Sequence, residues 1–150
     1  MTAVLSSTGL VYAHFGKEVI GQILQTKDSE LIDRLYDKVY EKFVEEVDAV
    51  DNGISTHDGP PRYQVTTTIG SRVSNFRPAW NDPVQDFDAG FRKAMAMVDQ
   101  EFVDRVKFYA NVWWPARTVV AKALEKRFDV HSSGKVLAFD DGVCPYKVLY

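Results

Sequence analysis

SELIDRLYDKVYEKFVEEVDAVDNG, residues 29–53, carries the clearest periodicity in the chain. Ile32, Leu35, Tyr36, Val39, Tyr40, Phe43, Val47 and Val50 recur at spacings of three and four, the mark of one helical face. Asp28 or Ser29 offers a side-chain cap at the start, and Glu30 suits the positive first turn. Asn52-Gly53 closes the run, because both residues tolerate the left-handed backbone of a helix end. The spacing predicts one amphipathic helix over about 29–51, and that helix predicts a mainly α core.

Working outward, Ser6, Ser7 or Thr8 can cap a first helix over about 7–24, with Leu10, Val11, Phe15, Val19 and Ile23 as its stripe. Residues 53–64 are loop, since Pro60-Pro61 excludes helix there. In residues 65–76 the β-branched Thr66, Thr67 and Thr68 favour strand, while the spacing of Ile69, Val73 and Phe76 favours a short helix; helix is preferred. A long helix is expected from Pro83 or Val84, with Phe87, Phe91, Met95, Val98, Phe102, Val106, Tyr109 and Trp113 on one side. Pro115 should break or kink it, with Trp113-Trp114 packed at the break and a further helix running to about Phe128. Residues 135–139 (KVLAF) and 146–150 (YKVLY) read as two strands around Asp140-Asp141-Gly142, a short C-terminal β-hairpin. A lone hairpin is marginal in water, and a domain seldom stops in mid-strand. The chain therefore reads as a piece of a longer protein.

The 150 residues suit one domain, with 45% hydrophobic residues and a net charge of −3. The pI of about 5.6 gives no global basic field for nucleic acid, so a phosphate substrate needs local bases or a bound cation. Cys144 is the single cysteine, which excludes an internal disulfide and a cysteine-rich zinc site. It reads as a buried structural thiol. No apolar run approaches the ~20 residues of a membrane span, and the N-terminal stretch lacks the basic start of a secretory signal.

The stretch FVEEVDAVDNGIS, residues 43–55, packs Glu45, Glu46, Asp48 and Asp51 together without a base. On a regular helix Asp51 falls about 40° from Val47, on the apolar stripe, and Asp48 about 100° away, at its edge. Glu45 and Glu46 lie outside it. A carboxylate at a helix C-terminus meets partial negative charge and loses up to ~1 kcal/mol. Burying one unpaired costs about several kcal/mol more. An arginine, a set of amide donors or a hard divalent cation would compensate. The bland alternative has Asp51 capping the following turn and Asp48 solvated, because D-x-x-D alone is a weak signal. His14, His57 and His131 show no paired metal-ligand spacing, and no G-x-S-x-G, P-loop or G-x-G-x-x-G is present. Arg62, Arg72 and Arg77, interleaved with Tyr63 and Phe76, form either a phosphate-contacting surface or a scattered solvated set.

With YDKVYEKF before that acidic stretch and PPRYQVTTTIGSRV after it, the chain resembles the melanocyte-proliferating-gene protein family. SSTGLVYAHFG, NDPVQDFDAGF, WWPAR and CPYK stand in the family's order and spacing, so the resemblance covers essentially all of the chain. It implies a metal-dependent hydrolase, of the kind regarded as DHH-superfamily exonucleases acting on RNA from the 3′ end. The fold it implies is an α/β phosphoesterase, with residues 1–130 as the helical centre of the DHH-like domain and 131–150 as the start of a C-terminal domain.

The family's upstream metal motifs, including its Asp-His-His run, are absent. Only the last metal-binding block is carried, and it maps to Asp48 and Asp51. The helical wheel favours Asp51 as ligand, with Asp48 as a further ligand or a base beside it. For the intact protein the resemblance implies two Mn²⁺ or Mg²⁺ ions and an RNA substrate. From side-chain chemistry alone, Arg62 and Arg72 can hold backbone phosphates and Tyr63 can stack a base.

The expectation is a central fragment of a metal-dependent phosphodiesterase, inactive alone. It should self-associate through apolar helix faces left uncovered. The alternative is a non-catalytic helical interaction or scaffold module, in which Asp48 and Asp51 pair with protein bases. The resemblance implies an intracellular location, in mitochondrion and nucleus, and nothing points to a membrane partner.

Overall fold

The computed structural model describes residues 5–140. Among these residues all regular structure is helical: α1 Ser7–Leu24, α2 Ser29–Val39, α3 Glu45–Asp51, α4 Ile69–Ser74, α5 Phe87–Phe108, α6 Trp114–Glu125 and α7 Arg127–Val130. Two π turns, Tyr40–Val44 and Tyr109–Trp113, join α2 to α3 and α5 to α6. The mainly α expectation therefore holds, while the expected β-hairpin does not. Residues 135–139 form no strand. The chain turns ahead of them, with Gly134 at φ 62° and the Ser133 hydroxyl accepting from the Lys135 amide. Among the described residues there is no sheet for this arm to join, and two strands alone are marginal. The second arm, residues 146–150, and Cys144 lie outside the described residues.

Helix boundaries follow their caps. Ser6 caps α1 by accepting from the Gly9 amide at 3.3 Å, and Gln25 ends it in the left-handed conformation, φ 50°. Asp28 caps α2 by accepting from Leu31. Thr68 caps α4, which settles the choice between strand and helix in residues 65–76. The long helix begins later than Pro83, because Asp86 supplies the cap through the Ala89 amide. Asp82 is instead spent on the preceding turn, where it accepts from Ala79.

Pro115 neither breaks the helical path nor stands alone. It sits in the first turn of α6, directly after the π turn in which the Trp114 amide donates to Tyr109 O. A proline has no N–H for a regular helical bond. The widened turn just before it lets α6 follow α5 without a gap.

The core gathers Ile20 of α1, Leu35 and Val39 of α2, Phe43 and Val44 of the first π turn, and Val106, Tyr109 and Trp113 of the α5 path. Phe43 meets Phe102 edge to face at 5.7 Å between ring centres, and Tyr12 meets Phe102 at 6.4 Å. α1 turns Gly9, Tyr12, Gly16 and Ile20 inward, not the stripe of larger apolar residues. Its glycines explain this choice. A Cβ at Gly16 would stand 3.0 Å from both the Tyr12 and Tyr36 rings, so glycine lets α1 settle against Tyr36 of α2. Val11, Phe15 and Val19 are left exposed. They line an apolar groove of ≈ 480 Å³ with Val47, Val98 and Phe102.

The first π turn decides the acidic end of the helix. The Glu45 amide donates to Tyr40 O, five residues back, so one extra residue is accommodated in that turn. Buried positions run Leu35, Val39 and Phe43 at regular steps of four, and Val44 beside Phe43, a step of five from Val39, starts the row that continues to Asp48. The one step of five rotates everything after it by about 100° relative to a regular helix. Asp48 takes the core position, and Asp51 and Val50 face solvent. The wheel placement of Asp51 on the buried stripe is thereby corrected.

Candidate functional site

Asp48 is 4% exposed and lies against the start of α1. Its Oδ1 accepts from the Ser6 amide at 2.6 Å, and its Oδ2 accepts from the Tyr40 hydroxyl at 2.6 Å. The Asn52 side-chain amide donates to the Asp48 carbonyl at 2.9 Å and reaches Oδ1 at 3.5 Å. The puzzle of a buried carboxylate in α3 is thus answered by another helix. Asp48 sits in the middle of its own seven-residue element and under the positive end of the 18-residue α1.

Hydrogen bonding by the Ser6 side chain, then by the Tyr40 hydroxyl and the Ser6 amide, holds the Asp48 carboxyl below the usual carboxylate range. Reciprocally, the Tyr40 hydroxyl is pushed up to about 12, first by its bond to Asp48 and then by burial. The sign for stability follows. A group whose folded pKa is depressed stabilises the fold above its unfolded pKa, about 3.9, and loses that contribution as pH falls through the folded value. Urea unfolding midpoints are therefore expected to be flat from neutral pH to about 4 and to drop below it. The drop should be smaller in Asp48→Asn, and an equal drop in both proteins would remove Asp48 as its cause.

Asp51 is exposed, and the turn after it closes through Gly53 N to Val50 O and Ile54 N to Ala49 O. Gly53, at φ 69°, is the left-handed residue this closure needs. The two acids of D-x-x-D are therefore separated by environment, one inward and one outward.

Arg62 and Tyr63 lie in the exposed loop before α4 and share an open cavity of ≈ 510 Å³ with His57 and Asp58. Tyr63 is 75% exposed. Arg72 is not with them. On α4, its guanidinium pairs with Glu101 of α5 at 2.6 Å, and its Nε is buried without a partner among the described residues. The structure thus brings Arg62 and Tyr63 together and sets Arg72 apart as a tie between helices.

The expected Mn²⁺ or Mg²⁺ can be tested against these donors. Such cations take about six oxygen ligands. Asp48 has both oxygens engaged by protein donors, and Asp51 offers a single outward carboxylate. Among the described residues no three His, Cys, Asp or Glu side chains stand close enough to hold an ion. These residues do not by themselves fit a metal centre. No described helix is long and apolar enough to cross a membrane.

Sequence reading missed Ser6, Gly9 and Tyr40 as the partners of Asp48. One signal was present. Val44 is an apolar residue directly after Phe43 and off the regular stripe, and the π turn buries both.

The family model described as "Uncharacterised protein family (UPF0160)", for MYG1 exonuclease, matches residues 1–150. The MYG1 exonuclease of Rattus norvegicus is 53% identical over 145 residues, covering 95% of this chain and 38% of the relative. That of Homo sapiens is 50% identical over 145 residues, covering 95% of this chain and 39% of the relative. The MYG1 protein of Saccharomyces cerevisiae is 39% identical over 153 residues, covering 95% of this chain and 45% of the relative. The chain thus spans about two fifths of the length of these relatives. No solved structure matches it. A match that runs from the first residue to the last, with relatives from yeast to mammals, makes the chain a member of the MYG1 family.

Proposed function

We propose that the chain is the helical part of a hydrolytic exonuclease acting on RNA from the 3′ end. The observation that supports this reading most is the exposed carboxylate of Asp51, within the stretch that resembles the family's last metal-binding block. The relatives carrying the name MYG1 exonuclease supply the activity class. In this reading Asp51 contributes one carboxylate toward Mn²⁺ or Mg²⁺, and the remaining ligands come from polypeptide outside these residues. In the same reading Arg62 and Tyr63, which line one open cavity, take a phosphate and a base from the strand, since an arginine beside an aromatic ring suits single-stranded RNA. Arg72, held by Glu101, supports the helix pair that carries them. The 150 residues alone are expected to be inactive.

The test is degradation of 5′-labelled single-stranded RNA by a form extended to the relatives' full length, with Mn²⁺ present. Asp51→Asn is expected to slow it by at least the roughly 10- to 100-fold that loss of a supporting group at a metal site costs. Stability should change by no more than about 0.5 kcal/mol, as at an ordinary surface position. Wild-type rate in that variant would reject the role of Asp51. An extended wild-type protein that leaves RNA intact would reject the exonuclease reading.

A further inference from the structure

We propose that Asp48 is the internal counter-ion of the α1 N-terminus and is not a ligand for an external cation. This inference stands on the geometry of the fold and does not rest on the exonuclease reading. The first turn of a helix leaves amide donors without helical partners. In α1 they are divided between two acceptors: the Ser6 side chain takes the Gly9 amide, and Asp48 takes the Ser6 amide from below. Gly9 makes room for this. A Cβ there would stand 2.5 Å from Asp48 Oδ1 and 2.9 Å from Oδ2, so any larger residue would push the carboxylate out of its seat.

The far oxygen is held as firmly, by the Tyr40 hydroxyl from the π turn. Divalent cations bind carboxylate oxygens at about 2.0–2.6 Å. Each oxygen keeps a further lone pair, but Asp48 is 4% exposed, so a cation could reach it only by parting α1 from α3. The positive end of α1, equivalent to about half an elementary charge, stabilises the carboxylate together with its two donors. Asp48, Gly9 and Ser6 thus form one unit across two helices, and of the two acids only Asp51 remains presented outward.

A double-mutant cycle read by thermal unfolding tests this, because residues acting as a unit give non-additive effects. Asp48→Ala is expected to lower the melting temperature by roughly 10 °C and Gly9→Ala by roughly 5 °C. With the carboxylate gone, the Cβ at residue 9 has space. Adding Gly9→Ala to Asp48→Ala should then lower the melting temperature by no more than about 1 °C further. Additive shifts would overturn the proposal.

A second measurement uses the unaltered chain and so does not depend on the variants folding. The Ser6 amide should be protected from exchange, with its proton resonance unmoved by millimolar MgCl₂. Loss of that protection, or a shift of that resonance, on adding Mg²⁺ would show the ion taking Asp48 and would equally overturn it.

Discussion

Asp48→Ala is expected to destabilise the chain by about 3–5 kcal/mol, the range for removing one partner from a buried charged network. The carboxylate is 4% exposed, and two donors end on it at 2.6 Å. Truncation leaves the Ser6 amide buried without an acceptor, at a cost of about 1–3 kcal/mol, and the half-buried Tyr40 hydroxyl loses its bond at a smaller cost. It also removes the charge that faces the α1 dipole, worth up to about 2 kcal/mol in a partly buried setting. These contributions overlap, so their sum is an upper bound and the lower figure is the firmer one. Urea unfolding at neutral pH measures the balance. A loss below about 1 kcal/mol, the size of an ordinary hydrogen bond, would mean that the network does not hold the start of α1.

The second large effect is expected at Gly90. Ordinarily Gly→Ala inside a helix stabilises by about 1 kcal/mol, because glycine has more backbone freedom to lose. At Gly90, in the first turn of α5, a Cβ would run into the Phe76 carbonyl oxygen. That obstacle is backbone, in the turn that follows α4, and no side-chain rotation can relieve it. The helix or the turn must move, which opens the seam where Phe76, Phe87 and Phe91 meet. Overpacking of this kind costs about 1–3 kcal/mol or more, so it outweighs the propensity gain and the net sign is destabilising.

Gly70 supplies the control. It is also helical, but nothing lies within 4 Å of a Cβ built there, so Gly70→Ala should be neutral or stabilising by up to about 1 kcal/mol. Thermal unfolding of both variants reads the two signs directly. Two shifts in the same direction would contradict the close approach at Gly90.

What the sequence announced and what it hid divide along physical lines. Ends of helices were legible where a side chain makes the cap, as at Ser6, Asp28 and Asn52-Gly53, because those bonds are local. The later start of α5 was hidden because Pro83 and Asp86 both suit a helix beginning, and the preceding turn had already claimed Asp82. The buried face of α1 was hidden because a count of hydrophobic residues is blind to glycine. Gly9 and Gly16 fix the packing by what they lack, and the larger Val11, Phe15 and Val19 stay outside.

The hairpin failed for the opposite reason. Residues 135–139 have strand propensity, but among the described residues there is no strand for them to pair with, and propensity alone buries nothing.

The candidate site turned on a single residue of register. Every placement up to Val39 followed the regular wheel, and every placement after Val44 was rotated by the π turn. The acidic pair was therefore recognised as a pair, with its inward and outward members exchanged. Membership in the MYG1 family was legible from long shared segments, since identity over nearly the whole chain does not depend on register at all.

The most direct measurement is the unfolding free energy of Asp48→Ala and Asp51→Ala, side by side in urea at neutral pH. The expected result is a loss of about 3 kcal/mol or more at Asp48 and a change within about 0.5 kcal/mol at Asp51. The change at Asp51 should be slightly favourable if anything, because a carboxylate leaves a helix C-terminus. Equal losses, or a larger loss at Asp51, would contradict the inward and outward assignment on which both the fold and the proposed site depend.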